Sequence, residues 1–155
     1  MHVLNIATSP RKDQSASRAV VDAFLREYMT KTDDLVVDTL DVWQEWLPEF
    51  DAETINAKYK WVSGEPMTSV EVTAWKKIRE LASRFDRADR IVMGVPMWNF
   101  SFPYKLKQLI DLSCQRNMLF TFDGKRYGPS LDIEKAFVAF VRGQSDEVGS
   151  PGSSI

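Results

Sequence analysis

Arg90-Ile-Val-Met-Gly-Val-Pro-Met-Trp-Asn-Phe100 is the stretch that decides the fold. Residues 91–95 form an unbroken apolar run of strand length, the mark of a strand buried on both faces. The run passes directly into Pro96-Met97-Trp98-Asn99-Phe100. A helix is then expected from Pro103, with Leu106, Leu109, Ile110 and Cys114 as its buried stripe. The start of the chain repeats the plan. Residues 2–7 read as a short apolar strand ending at Thr8-Ser9-Pro10, and a helix opens at Ser15 or Ser17 with Val20, Val21, Phe24, Leu25 and Tyr28 on one face. Two strand–loop–helix junctions of this kind place two polar loops at the carboxyl ends of parallel strands, where open α/β sheets bind ligands.

Working outward, residues 35–42 alternate apolar and polar and predict a strand at a sheet margin. Residues 43–66 hold three of the five tryptophans (Trp43, Trp46, Trp61), with a short helix expected over 51–59. So many aromatics argue for an ordered excursion rather than a linker. Thr68 or Ser69 caps an amphipathic helix whose Val72, Trp75, Ile78, Leu81, Ala82 and Phe85 face inward. Residues 119–127 predict a hairpin turning at Asp123-Gly124, residues 135–141 a fourth strand, and residues 149–155 a loop. Strands alternating with helices imply a three-layer α/β/α, doubly wound parallel sheet. After the fourth strand the chain ends in a Gly/Ser loop. Residues 1–155 are therefore expected to be a single domain that is incomplete at its C-terminus, or completed by a partner subunit.

The bulk properties narrow the function classes. The chain has 155 residues, 44% apolar and 27% charged, with a net charge of −2. Its pI is near 5.5 and its mean hydropathy −0.29. Nothing here suggests a nucleic-acid binder or a membrane protein, and no leader opens the chain. One cysteine excludes an intramolecular disulfide framework, and a cytoplasmic location is expected. With His2 the only histidine, neither a histidine-based triad nor a histidine-rich metal site can be assembled. Cys114, on the apolar stripe of its helix, is read as core rather than nucleophile.

The loops carry what chemistry there is. Ser9, Ser15 and Ser17 surround a helix amino-terminus, whose open N–H groups and partial positive charge suit a phosphate, with Arg11 or Arg18 to balance its charge. Serine before a helix is equally often a plain cap, and that reading stands beside the first. No G-x-G-x-x-G and no phosphate-loop lysine motif occurs. At the second loop, Asn99 offers a donor and an acceptor to the edge of a uracil-like ring, while Met97 and Trp98 offer surface for a tricyclic one. The competing reading is that Trp98 and Phe100 plug the top of the core. A third wall is expected from Arg142-Gly143-Gln144-Ser145, with Gly143 allowing close approach and Arg142 facing a reduced ring. A phosphate loop beside a flat-ring loop points to a flavin.

These segments resemble the flavodoxin-like FMN-dependent NAD(P)H oxidoreductases, the group of azoreductases and NAD(P)H:quinone reductases. The resemblance rests on Ser9…Ser15-Ala16-Ser17, residues 88–100, the helix Lys105-Leu-Lys-Gln-Leu-Ile-Asp111, the Phe120-Thr-Phe122…Gly128-Pro129 hairpin and Arg142-Gly143. It implies a flavodoxin-like fold lacking its last strand and helix. It implies that Ser9, Ser17 and the backbone at Ala16 bind the FMN phosphate, that Met97, Trp98, Asn99 and Phe100, with Pro96, line the ring, and that Gly143 meets its pyrimidine end. It also implies a homodimer with the site at the subunit boundary, so Trp43, Trp46 and Trp61 read either as dimer contacts or as a satellite core. Trp98 stands where many azoreductases carry Tyr, and Gln144 where they carry a second glycine.

The expected activity is hydride transfer from NAD(P)H through FMN to a small aromatic acceptor, a quinone or an azo compound. Two alternatives compete. A flavodoxin-type electron carrier would bind FMN without oxidising NAD(P)H, although such carriers surround the flavin with acidic groups and Arg11, Arg18 and Arg142 flank this site. A non-catalytic interaction domain would bind no flavin.

Overall fold

A computed structural model describes residues 1–143. Gln144, Ser145 and the terminal Gly/Ser segment lie outside the described residues. Four parallel strands, β1 (His2–Ala7), β2 (Val36–Asp41), β3 (Arg90–Pro96) and β6 (Lys135–Val141), form one sheet in the order β2-β1-β3-β6. Strands β4 (Phe120–Phe122) and β5 (Tyr127–Pro129) form a separate antiparallel hairpin. Among the described residues there are four α-helices: α1 (Ala16–Lys31), α2 (Ala52–Ser63), α3 (Ser69–Asp86) and α4 (Tyr104–Ser113).

The register fixes which chain segments meet. Ala7 pairs with Asp41 on one side and Gly94 on the other, while Pro96 pairs with Val141. The carboxyl ends of all four strands therefore lie along one edge of the sheet. One face buries Leu4, Ile6 and Leu40 against Trp75, Ile78 and Leu81 of α3 and Leu106, Leu109 and Leu112 of α4. The other face packs Val3 and Val92 against Val21 and Leu25 of α1, where Phe24 stacks on Phe137 at 4.2 Å. Each such side chain fully buried contributes about 1.5–3 kcal/mol.

Local chemistry sets the helix ends. Ser15 caps α1 through Arg18 N–H, and Asp51 caps α2 through Thr54 N–H at 2.9 Å. Of the two candidates for α3, Thr68 is the cap. It forms a reciprocal capping box in which Glu71 accepts Thr68 N–H and Thr68 accepts Glu71 N–H. The α2 helix runs to Ser63, past the expected residue 59, and stops where Gly64 takes a left-handed conformation (φ 76°).

Four expected core positions turn out exposed: Val20, Val72, Ile110 and Cys114. Each sits at the margin of an apolar stripe wider than the surface available to cover it. Val72, for example, is next to buried Glu71, whose pairing with Lys60 occupies the inward position. Cys114 is the residue that ends α4 rather than part of its buried face. Partial desolvation and the carboxylate of Asp111 push its thiol above the ordinary range, the wrong direction for a nucleophile.

Candidate functional site

The first loop leaves β1 through Thr8, which is buried and donates its hydroxyl to Gly94 O at 2.7 Å, tying β1 to β3 at the sheet edge. A short 3-10 turn (Lys12–Gln14) follows, a feature not legible beforehand, and delivers Ser15 to the start of α1. Ser9, Ser15 and Ser17 are all buried, Ser17 to 2% exposure, and the Ser15 and Ser17 hydroxyls stand 3.1 Å apart. Ser9 Oγ accepts Arg11 N–H at 3.3 Å. Ala16 and Ser17 are the first two helical residues, so their N–H groups have no carbonyl one turn back to bond. The result is a cluster of uncharged donors at a helix amino-terminus. Ser15 does cap α1, and Ser9 and Ser17 are buried rather than lying on the surface.

The α1 terminus reaches this position because residue 94 is glycine. A Cβ there would stand 2.8 Å from Ser17 O, 3.1 Å from Ser17 C and 3.2 Å from Val21 Cγ2. Glycine inside an otherwise bulky strand was the available sequence signal for a close backbone approach.

The second loop is a tight reversal. Trp98 and Ser101 exchange two backbone hydrogen bonds of 2.8 and 2.9 Å, and Asn99 (φ 48°) and Phe100 (φ 60°) between them are both left-handed. Two successive positive φ values are the geometry of a type I′ turn, in which Asn is comfortable and Phe is not. Phe100 is 88% exposed. It does not plug the core, so that reading is corrected: the turn holds a strained aromatic and Asn99 out at the sheet edge. Strain of this kind is characteristic of binding sites.

Behind the turn, Trp98 packs on Trp43 (ring centroids 5.8 Å apart), and Trp43 meets Tyr104 edge-on at 5.4 Å. Met97 N–H donates to Val141 O at 2.8 Å, which joins this loop to the third wall, Arg142 and Gly143. Nothing lies within 4 Å of where a Gly143 Cβ would be, so no protein atom requires glycine there. The structure therefore brings Ser9, Ser15, Ala16, Ser17, Pro96, Met97, Trp98, Asn99, Phe100, Arg142 and Gly143 to loops at one edge of three adjacent strands.

Trp43 is partly buried against the core, in line with the core reading of it, and it has a second role the sequence did not show: its indole N–H donates to Thr8 O at 2.9 Å while its ring backs Trp98. Its position directly after β2, on the same sheet edge as the other loops, was the clue. An ion-pair cluster anchors the turn that carries it. Arg84 holds both Asp38 oxygens at 2.8 and 2.6 Å and Glu45 at 3.0 Å, and Lys77 reaches Glu45 at 2.5 Å. The Arg84 guanidinium keeps the Asp38 carboxyl below its ordinary range.

Fold and site together define an open α/β protein whose candidate loops line the carboxyl edge of its strands. The chain belongs to the family described as having a flavodoxin-like fold, whose model matches residues 1–155. It is 57% identical over 150 residues to FMN-dependent NADH:quinone oxidoreductase 2 of Burkholderia lata, covering 97% of this chain and 72% of that protein. It is 46% identical over 151 residues to FMN-dependent NADH:quinone oxidoreductase 9 of the same organism, covering 97% and 71%. Among solved structures, an azoreductase from Bacillus anthracis str. Sterne superposes with a TM-score of 0.86 at 26% identity, covering 97% of this chain and 73% of that one. Among the described residues no helix is long and apolar enough to cross a membrane.

Proposed function

We propose that this chain is an FMN-dependent oxidoreductase that passes hydride from NADH to a quinone or azo acceptor, in the cytoplasm and as a homodimer. The observation that carries the reading is the meeting, on adjacent strands, of an uncharged donor cluster at the α1 amino-terminus with the strained, outward-held Asn99–Phe100 turn. The donor set fits FMN. Three serine hydroxyls and two open N–H groups suit a phosphate, and Asn99 matches the alternating donor and acceptor edge of the flavin's pyrimidine ring. Bound FMN supplies two-electron hydride chemistry, and the chain's part is placement and electrostatics.

Ser9, Ser15, Ala16 and Ser17 hold the phosphate, with Arg11 and Arg18 as nearby positive charge. Pro96, Met97 and Trp98 would line the ring, and Asn99 would hydrogen-bond its edge. Phe100 stands where it can cover an acceptor. Arg142 and Gly143 close the pyrimidine end, the arginine favouring negative charge there. No side chain here needs to act as a general acid or base, because bound FMN would supply the hydride chemistry. Exposed Trp46 and Trp61 supply apolar surface for a subunit contact.

Steady-state oxidation of NADH by a benzoquinone, run with FMN, with riboflavin and with neither, tests the reading. Turnover that requires FMN supports it. FMN binding without NADH oxidation favours the electron carrier, and no flavin binding favours the interaction domain.

A further inference from the structure

Thr8, the residue before Ser9, and its neighbour Ala7 are held by three hydrogen bonds. The Thr8 hydroxyl donates to Gly94 O at 2.7 Å, Ala7 O accepts Val42 N–H at 3.1 Å beside it, and the Thr8 carbonyl accepts the Trp43 indole N–H at 2.9 Å. The third contact comes from a segment outside both candidate ligand loops. The same indole lies against Trp98, the residue that starts the Asn99–Phe100 turn. One side chain thus touches the root of the phosphate loop through its nitrogen and the root of the ring loop through its face.

The segment carrying Trp43 is itself fixed. Asp41 Oδ1 accepts Trp43 N–H at 2.9 Å, and Asp41 O accepts Gln44 N–H and Glu45 N–H at 3.1 and 2.9 Å. Glu45 is then gripped from α3 by Lys77 and Arg84, and Arg84 also grips Asp38 of β2. A tryptophan serving only as core filler needs none of this.

We propose that Trp43 is a positioning residue that sets the spacing between the phosphate loop and the ring loop, and that the Asp38–Arg84–Glu45–Lys77 cluster holds it in place. The inference rests on the reading of these loops as an FMN site. Its two contacts act on different parts of the ligand: the N–H···O bond acts on the phosphate end through Thr8 and Ser9, and the ring packing acts on the isoalloxazine end through Trp98.

The test compares FMN with riboflavin, which lacks the phosphate, by flavin-fluorescence titration of wild type, Trp43→Phe and Trp43→Leu, with folding checked by circular dichroism. Trp43→Phe keeps a ring against Trp98 and loses the donor. It is expected to weaken FMN about fivefold, the order of one neutral hydrogen bond, while changing riboflavin by less than about twofold. Trp43→Leu is expected to weaken both ligands. Equal loss of FMN and riboflavin in Trp43→Phe, or no loss of either, overturns the proposal, since a merely structural tryptophan gives no such split. If wild type binds neither flavin, the functional reading fails first and the proposal falls with it. If Trp43→Phe does not fold, Glu45→Gln loosens the same turn with the indole intact. It must weaken FMN and riboflavin alike, as Trp43→Leu does, and unchanged affinity for both there overturns the proposal too.

Discussion

Replacing Gly94 by alanine perturbs the phosphate end of the site without touching a polar atom. The added methyl would lie 2.8 Å from Ser17 O, whereas ordinary contact starts at 3.4 Å, so something must move by about 0.6 Å. The obstacle is backbone, not a flexible side-chain tip, and Val21 Cγ2 at 3.2 Å blocks the neighbouring direction. The α1 amino-terminus, with Ser15, Ala16 and Ser17, has to lift off β3. Overpacking of this kind costs about 1–3 kcal/mol. In a domain of this size each kcal/mol lowers Tm by about 2–4 °C, so a fall of roughly 2–12 °C is expected. The phosphate donors are displaced by the same movement, and FMN affinity is expected to fall about tenfold, equivalent to about 1.4 kcal/mol, with riboflavin affected less. Calorimetry and parallel flavin titrations measure both effects. A Tm within a degree of wild type together with unchanged FMN affinity would refute the claim that Gly94 sets the position of the helix terminus.

Asn99→Ala removes the paired donor and acceptor of the ring loop. FMN and riboflavin are both expected to bind about tenfold more weakly, or the bound flavin to shift its potential; fluorescence titration and spectroelectrochemistry report either. Phe100→Gly gives the turn the Asn-Gly pair that type I′ geometry favours and removes a side chain that buries almost nothing. Tm is expected to rise by a few degrees, about 1 kcal/mol, while quinone turnover falls; a drop in Tm contradicts the strain assignment. Lys60 first, and then Thr68 N–H, hold the Glu71 carboxyl below its ordinary range, and Arg84 does the same for Asp38. Both carboxylates therefore contribute stability that is complete above about pH 5 and is lost progressively as pH falls through their lowered folded-state values. Glu71→Gln should flatten the acid limb of a Tm-against-pH curve, and an unchanged limb contradicts the pairing. Cys114→Ser should leave turnover unaltered, because the thiol is exposed, held protonated and outside the site loops.

Element positions were legible because apolar runs, caps and turn residues act locally. The 91–95 run required a buried strand, Thr68 or Ser69 marked a helix start, and Asp123-Gly124 required a turn. Phe100 was less legible, since an aromatic after a buried strand looks like core until the backbone reversal at Trp98–Ser101 turns it outward. Val72 and Cys114 show the same limit on helices: periodicity names a stripe, but the neighbouring layer decides how wide a stripe it covers. Trp43 and Gly94 eluded the reading for a different reason. Their roles depend on which strands become neighbours, and Trp43 reaches Thr8 across 35 residues while Gly94 meets Ser17 and Val21 across a layer boundary.

An anaerobic absorption titration tests the central claim most directly. Protein is mixed with FMN, then with stoichiometric NADH, then with a benzoquinone. The account predicts a perturbed flavin band that bleaches with NADH and returns with the quinone. A flavin band identical to that of free FMN would contradict it.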